Sequence, residues 1–152
     1  MTLREEFGVA LKDAVKSQNK RRVSTLRLIN AAVKDRDIAA RTAGVDEGVS
    51  DDIIREILAK MIKQRDESVR TYEEAGRMEL AQQEAEEIEI IREFLPRQLS
   101  EDEVREACAK VIDEVGASSL KQMGPCMGLL KERYSGRMDF ARAGAIVKER
   151  LR

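Results

Sequence analysis

Apolar residues recur at steps of three and four along almost the whole chain, with charged residues between them. A stripe with this period lies on one face of an α-helix, whereas a half-buried strand would need strict alternation. Aromatic residues make up only 3% and charged residues 38% of the 152 residues, which suits helices with solvated faces better than sheets. No segment has the pattern of a strand. The sequence therefore predicts an all-α protein.

Capping residues, glycines and one proline predict where the helices begin and end. A start is indicated where Thr, Ser or Asp precedes an apolar run, and a stop where Gly follows it. Seven helices result, with expected spans of 2–17, 20–42, 50–75, 78–94, 100–115, 119–135 and 140–151. The apolar stripe of the first is expected to reach Val15. The regular part of the sixth is expected to begin at Pro125, with Gly124 in the preceding turn.

The best domain boundary lies at Leu95-Pro96. A proline disfavours helical geometry in the residue before it, so the fourth helix must stop here. The next helix has a strong start signal, because Ser100 is followed by three acidic residues and forms a capping box with Glu103. We therefore expect an N-terminal helical domain of about four helices in residues 1–95 and a compact three-helix domain in residues 96–152.

Composition excludes several classes of protein. The chain has no His, which removes the commonest acid/base of neutral pH and the Ser-His-Asp and Cys-His nucleophile systems. Cys108 and Cys126 form no C-x-x-C pair and are expected to be reduced and buried, with no metal bound. No apolar run is long enough to span a membrane, and the N-terminal residues have no apolar signal core. We expect a cytoplasmic protein with no membrane partner.

The net charge of −1 conceals basic ends and an acidic middle. The balance is +5 over residues 1–43, −4 over 44–75, −6 over 76–103 and +4 over 104–152. Such segregation is compatible with an anionic partner, although the overall neutrality argues against strong non-specific binding of nucleic acid.

The second helix carries a basic stripe, in which Lys20, Arg27, Lys34 and Arg41 recur every seven residues. Residues at this spacing stay close to one face of a helix, so the stripe would track a phosphate backbone. The alternative is a solvated face that the acidic third and fourth helices partly neutralise.

The most unusual local sequence contains two Met-Gly pairs, Met123-Gly124 and Met127-Gly128, and is followed by Gly136-Arg137-Met138-Asp139. Glycines four residues apart lie on one helical face and permit a close approach, although each costs about 1 kcal/mol relative to alanine. One interpretation is tight packing against the seventh helix. The other is close contact with a nucleic-acid backbone.

These motifs resemble those of the GatB/YqeY family. The resemblance covers nearly the whole chain, because it includes the linker Phe94-Leu95-Pro96-x-Gln98-Leu99-Ser100 and the acidic helix start after it. It implies two α-helical units, the second similar to the tail of the GatB component of the amidotransferase that converts Glu-tRNA to Gln-tRNA, or Asp-tRNA to Asn-tRNA. Two positions depart from the pattern: Pro125 stands where members carry Lys, and Phe140 where they carry Gly.

The resemblance implies an accessory protein that binds tRNA or another RNA and has no catalytic centre of its own. Phosphate contacts are expected from basic residues of the C-terminal unit and of the second helix. They are Lys121, Lys131, Arg137, Arg142, Lys20, Arg27, Lys34 and Arg41. The motif residues beside them are Met123, Gly124, Met127, Gly128, Gly136 and Asp139.

Two alternatives stay open. One is a protein-interaction module of a tRNA-aminoacylation or translation complex, with amidotransferase or aminoacyl-tRNA synthetase components as partners. The other is a carbon-nitrogen ligase with glutamine as amido-N-donor, which the family name implies. Such a ligase must hold Mg-ATP, and the sequence has neither a P-loop, nor a Gly-rich phosphate loop after a strand, nor a placed carboxylate cluster. No catalytic residue and no cofactor are therefore expected.

Overall fold

The computed structural model describes residues 1–152 and consists of α-helices, one short 3₁₀ turn and no strand. The predicted all-α class is confirmed. The elements are α1 Leu3–Lys16, α2 Lys20–Thr42, α3 Asp51–Glu74, α4 Met78–Arg92, α5 Glu101–Val115, the 3₁₀ turn Leu120–Gln122, α6 Met123–Tyr134 and α7 Phe140–Leu151. The contacts between them divide the chain into two units, Met1–Leu95 and Pro96–Arg152. None of the helices combines the length and the apolar character needed to cross a membrane.

Local sequence explains the helix ends. Thr2 accepts a hydrogen bond from the backbone N–H of Glu5, whose carboxylate accepts one from the backbone N–H of Thr2, and Ser100 and Glu103 form the same capping box on α5. Gly116 ends α5 with a φ of 69°, a left-handed conformation that glycine adopts without strain. These signals lie within a few residues of each end, which is why the sequence predicts the starts of the helices well.

Two helix ends differ from the expectation. Helix α4 ends at Arg92, two residues early, and α6 begins at Met123, so Gly124 lies inside the helix rather than in the preceding turn. Pro125 is then the third helical residue, within the first turn that tolerates proline. Val15 is 52% exposed, because the face of α1 next to Ala14 is left uncovered.

The first unit has one core, to which all four of its helices contribute. Its fully buried large side chains are Phe7, Leu26, Ile29, Ile54, Leu58 and Ile91. Phe94 closes this core, since its ring meets that of Phe7 edge to face with 5.0 Å between centroids. Leu95 packs against the same cluster, so the Leu95-Pro96 break lies where the chain leaves the core.

An ion pair between α1 and α2 also binds the loop between α2 and α3. Arg4 binds Asp37 through both terminal nitrogens, at 2.9 and 2.7 Å, and also donates to the Val49 carbonyl at 3.0 Å. The Val49 N–H donates to the same carboxylate at 2.8 Å. Gly48, at φ 86°, lies so close that a Cβ would stand 2.9 Å from the guanidinium. The loop therefore depends on glycine at this position and on a charged Asp37.

Asp37→Asn should destabilise the protein by up to about 1 kcal/mol at neutral pH, the usual upper range for a pair that water partly screens. The hydrogen bond from Arg4, followed by that from Val49, lowers the pKa of Asp37 from 3.8 to about 2. A lowered pKa in the folded state stabilises above the unfolded value, and this stabilisation is lost as the pH falls from about 4 towards 2. Urea unfolding of both proteins from pH 7 to pH 3 measures the difference.

The matched control for this prediction is Asp35→Asn, an exposed carboxylate on the same helix. It should change the free energy of unfolding little at any pH. A difference between wild type and Asp37→Asn that stays constant down to pH 3 would contradict the assignment to the carboxylate charge.

The second unit has its own core between α5, α6 and α7. Cys108 and Cys126 are both fully buried and unpaired, as predicted, and burial raises the pKa of each thiol. Around them lie Leu130, Ile146 and Val147, each at most 1% exposed. The thiols therefore behave as small apolar side chains that fix how α6 lies against its neighbours.

Candidate nucleic-acid interface

The two glycines of the Met-Gly pairs lie one turn apart on the solvent face of α6. Both are exposed, and a Cβ built on Gly124 or Gly128 meets no heavy atom within 4 Å. The interpretation that they permit tight packing against α7 is therefore wrong. The helix contact is made by Gly144 of α7, whose Cβ position lies 3.6 Å from the methyl carbon of Met123 and 3.8 Å from that of Met127.

Helix α6 thus has two faces with different roles. The buried face carries Cys126 and Leu130, both fully inaccessible to solvent. The open face carries Gly124, Gly128 and Lys131 at steps of four and three, so the three lie along one line.

The lysines beside this open face form no ion pair. Lys121, in the 3₁₀ turn, and Lys131 are exposed, and neither has a hydrogen-bond partner in the protein. Neighbouring arginines are occupied instead: Arg133 pairs with Glu114 at 2.6 Å. The N-terminus of α6 has no side-chain cap, so its partial positive charge adds to that of Lys121 just before it, whereas Lys131 lies in the last turn of the helix. This end of α6 is suited to an anion.

Arg142 and Arg137, the other two predicted phosphate contacts of this unit, already have protein partners. Arg142 donates through Nε to Glu101 at 3.0 Å, and this contact lowers the pKa of the carboxyl. Arg137 donates through Nε to the Arg97 carbonyl at 3.1 Å, which leaves its terminal nitrogens without a protein partner. Lys121 and Lys131 therefore lie before and after the exposed glycines, whereas Arg137 is held against the linker and Arg142 against the start of α5.

The Gly136-Arg137-Met138-Asp139 motif has a structural explanation. Gly136 turns the chain at φ 74°, and its carbonyl accepts a hydrogen bond from the Gln98 side chain. The Leu99 N–H donates to the Arg137 carbonyl at 2.8 Å. Met138 is buried, and Asp139 caps α7. The two sequence motifs, Gln-Leu-Ser in the linker and Gly-Arg-x-Asp, are thus bound to each other.

One further lysine lies on this side of the unit and was not among the predicted contacts. Lys148 is exposed on α7, one turn beyond Gly144, and forms no ion pair. Gly144 is the residue beneath the methionine side chains of α6, so a residue four positions later lies on the same side of α7. The sequence signal that could have found it is this Gly-x-x-x-Lys spacing.

The predicted stripe on α2 is exposed along its whole length. Lys20, Arg27, Lys34 and Arg41 are all exposed and form no ion pair. The acidic helix α4 instead pairs with their neighbours: Arg21 lies 3.3 Å from Glu86, and Arg22 lies 2.6 Å from Glu93. The expected neutralisation by acidic helices therefore involves Arg21 and Arg22. Within the stripe, Arg41 lies near enough to Asp37 for its charge to help lower the pKa of that carboxyl.

No group of three or more His, Cys, Asp or Glu side chains is placed to hold a metal ion. The carboxylates nearest to one another, such as Glu84 and Glu87 on α4, share Arg65, which lies 4.0 and 2.9 Å away. Burial, followed by the charge of Glu87, raises the pKa of Glu84. These groups form an ion-pair network on the surface of the first unit.

Comparison with known proteins supplies the family. The sequence matches the family described as Yqey-like protein over residues 4–151. It is 29% identical over 119 residues to altered inheritance of mitochondria protein 41, mitochondrial, of Clavispora lusitaniae, which is 76% of this chain and 66% of that protein. The protein of the same name from Lachancea thermotolerans is 30% identical over 119 residues, which is 78% of this chain and 60% of the relative.

An uncharacterized protein of Schizosaccharomyces pombe is 30% identical over 90 residues, which is 59% of this chain and 69% of that protein. The chain therefore spans about two thirds of the length of these relatives or less. Two of the three are named as mitochondrial, and none of the matches supports the expected cytoplasmic location.

Proposed function

This chain belongs to the YqeY-like protein family, and we propose that it is an accessory RNA-binding protein that contacts tRNA through the open face of α6. The observation that carries the proposal is the exposed pair Gly124 and Gly128, with Lys121 before it and Lys131 after it, all without partners in the protein. Lys148 and the terminal nitrogens of Arg137 are further candidates for phosphate contacts.

The two exposed glycines favour a ligand that makes contact through its own backbone, such as the sugar-phosphate chain of an RNA. A glycine inside a helix costs about 0.5–1 kcal/mol relative to alanine, and no contact within the protein offsets this cost at Gly124 or Gly128. Without Cβ atoms, the backbone of α6 is open to close approach here, and a sugar-phosphate strand can lie along it. Lys121 before the two glycines and Lys131 after them would then reach phosphates, which position a nucleic acid without reading its sequence.

The net charge of the chain favours RNA binding of moderate affinity that depends on this one surface. The chain as a whole carries a net charge of −1, so long-range attraction to RNA is small and affinity must come from the surface itself. Contacts of this type release counterions, and the affinity falls as salt rises. The amidotransferase and aminoacyl-tRNA synthetase components stay predicted partners, since they share tRNA as a ligand.

The test is a tRNA titration of wild type and of the double variant Lys121→Glu, Lys131→Glu. We expect the double variant to bind at least about tenfold more weakly, a loss of about 1.4 kcal/mol or more. The matched control is Lys12→Glu with Lys60→Glu, two exposed lysines of the first unit, which changes the net charge equally. Equal losses in both double variants, or no tRNA binding by wild type, would overturn the proposal.

A further inference from the structure

The first unit has a second candidate binding surface, which takes no part in the proposed RNA contact. The end of α1 and the first half of α2 leave an open groove of about 770 Å³, with Val15, Val23 and Leu28 among its lining residues. Val15 is 52% and Leu28 46% exposed. Val15 continues the apolar stripe of α1. The groove therefore exposes apolar side chains that no other part of the protein covers.

Two cations of the basic stripe line the same groove. Lys20 and Arg27 are two helical turns apart, about 10 Å along the axis, and neither is in an ion pair. The acidic residue of the groove, Glu87, is bound to Arg65 at 2.9 Å and lies 4.0 Å from Arg21. The groove therefore combines an aliphatic lining with positive charge that no carboxylate of the protein neutralises.

We propose that this groove binds an acidic amphipathic helix of a partner protein. A helix lying in a groove buries apolar side chains at three- and four-residue steps, and this suits the exposed Val15 and Leu28. Carboxylates seven residues apart on the partner would meet Lys20 and Arg27, and charge pairing of this kind selects the partner and its direction. One ligand thus uses both features of the groove.

Other anionic ligands use only one of the two features. A nucleic acid would meet the cations but has no apolar group to bury against Val15 and Leu28, and no Phe or Tyr lines the groove for a base to stack on. A lipid surface is broad and flat compared with one helix, so it could not enter the groove between α1 and α2. The apolar lining therefore decides in favour of a protein helix.

The test uses the full chain and two synthetic helical peptides of defined design. Both carry leucines at three- and four-residue steps on one face; one has glutamates seven residues apart beside them, and the other has lysines at the same positions. Fluorescence anisotropy of labelled peptides should show that wild type binds the glutamate peptide at least tenfold more tightly than the lysine peptide. Leu28→Glu should reduce this binding at least tenfold, whereas Val45→Glu, an exposed residue outside the groove, should leave it unchanged.

A charge-reversal variant distinguishes the loss of a specific contact from a failure to fold. The double variant Lys20→Glu, Arg27→Glu should lose the glutamate peptide and gain the lysine peptide, a gain that an unfolded variant would not show. Leu28→Glu, at a residue outside the expected RNA contacts, should retain the tRNA affinity of wild type, so this proposal and the RNA proposal fail separately. Equal binding of both peptides, no binding of either, tRNA affinity abolished in Leu28→Glu, or a dimer that Leu28→Glu dissociates would each overturn the proposal.

Discussion

Replacing Gly128 by leucine should reduce tRNA affinity at least about tenfold while making α6 more stable, not less. No heavy atom lies within 4 Å of a Cβ built at Gly128, so the side chain extends into solvent and the core is not disturbed. Replacing a glycine inside a helix by a better helix former stabilises the helix by about 0.5–1 kcal/mol. Gly124 is left unchanged because it precedes Pro125, and a proline disfavours helical geometry in a larger residue before it. The new side chain at position 128 would hold an RNA strand away from the helix.

The opposite signs of the two effects make this prediction specific. Urea unfolding measures the gain in stability, and the tRNA titration measures the loss of affinity in the same protein. Gly8→Leu is the matched control, because Gly8 is also an exposed helical glycine with nothing within 4 Å of its Cβ position. It should gain similar stability and keep tRNA affinity. A Gly128→Leu variant that binds tRNA as wild type does would show that the glycine face of α6 is not the contact surface.

Leu130→Ala should destabilise the second unit by about 2–5 kcal/mol, the range for truncating a fully buried leucine. Leu130 is 0% exposed and lies on the buried face of α6, in the core that also holds Cys126. Total stabilities of domains are only about 5–15 kcal/mol, so a loss of this size is a large part of the whole. Urea unfolding followed by circular dichroism measures it.

The matched control is Leu120→Ala, a leucine that is 46% exposed in the 3₁₀ turn and should cost less than about 0.5 kcal/mol. Since Leu130 fixes the helix that carries Gly128 and Lys131, its truncation should also weaken tRNA binding. Similar losses of stability for the two substitutions would show that α6 does not have the buried face assigned to it.

The fold could be predicted from sequence because its signals are local. Capping boxes such as Thr2 with Glu5 and the glycine stop at Gly116 act within one helical turn, and both are present in the structure. Periodicity gives the apolar face of α1, Val15 included, but not how much of that face other helices cover.

The candidate site was predicted less completely, because it depends on contacts between distant parts of the chain. The sequence singled out Gly124 and Gly128 but could not decide between packing and exposure; that required the position of Gly144 on α7. It also could not show that Arg137 holds the linker at Arg97, forty residues away in sequence. Such pairings follow from tertiary structure and have no local signature.

The central claim is that the open face of α6 binds the phosphate backbone of tRNA, and the most direct test is tRNA affinity measured across a range of salt concentrations. For wild type, the logarithm of the binding constant should fall linearly with the logarithm of the salt concentration. In Lys121→Glu, Lys131→Glu the slope should be smaller by about one for each lysine that no longer meets a phosphate, about two in all. Affinity that does not change with salt, or equal slopes for the two proteins, would contradict the claim.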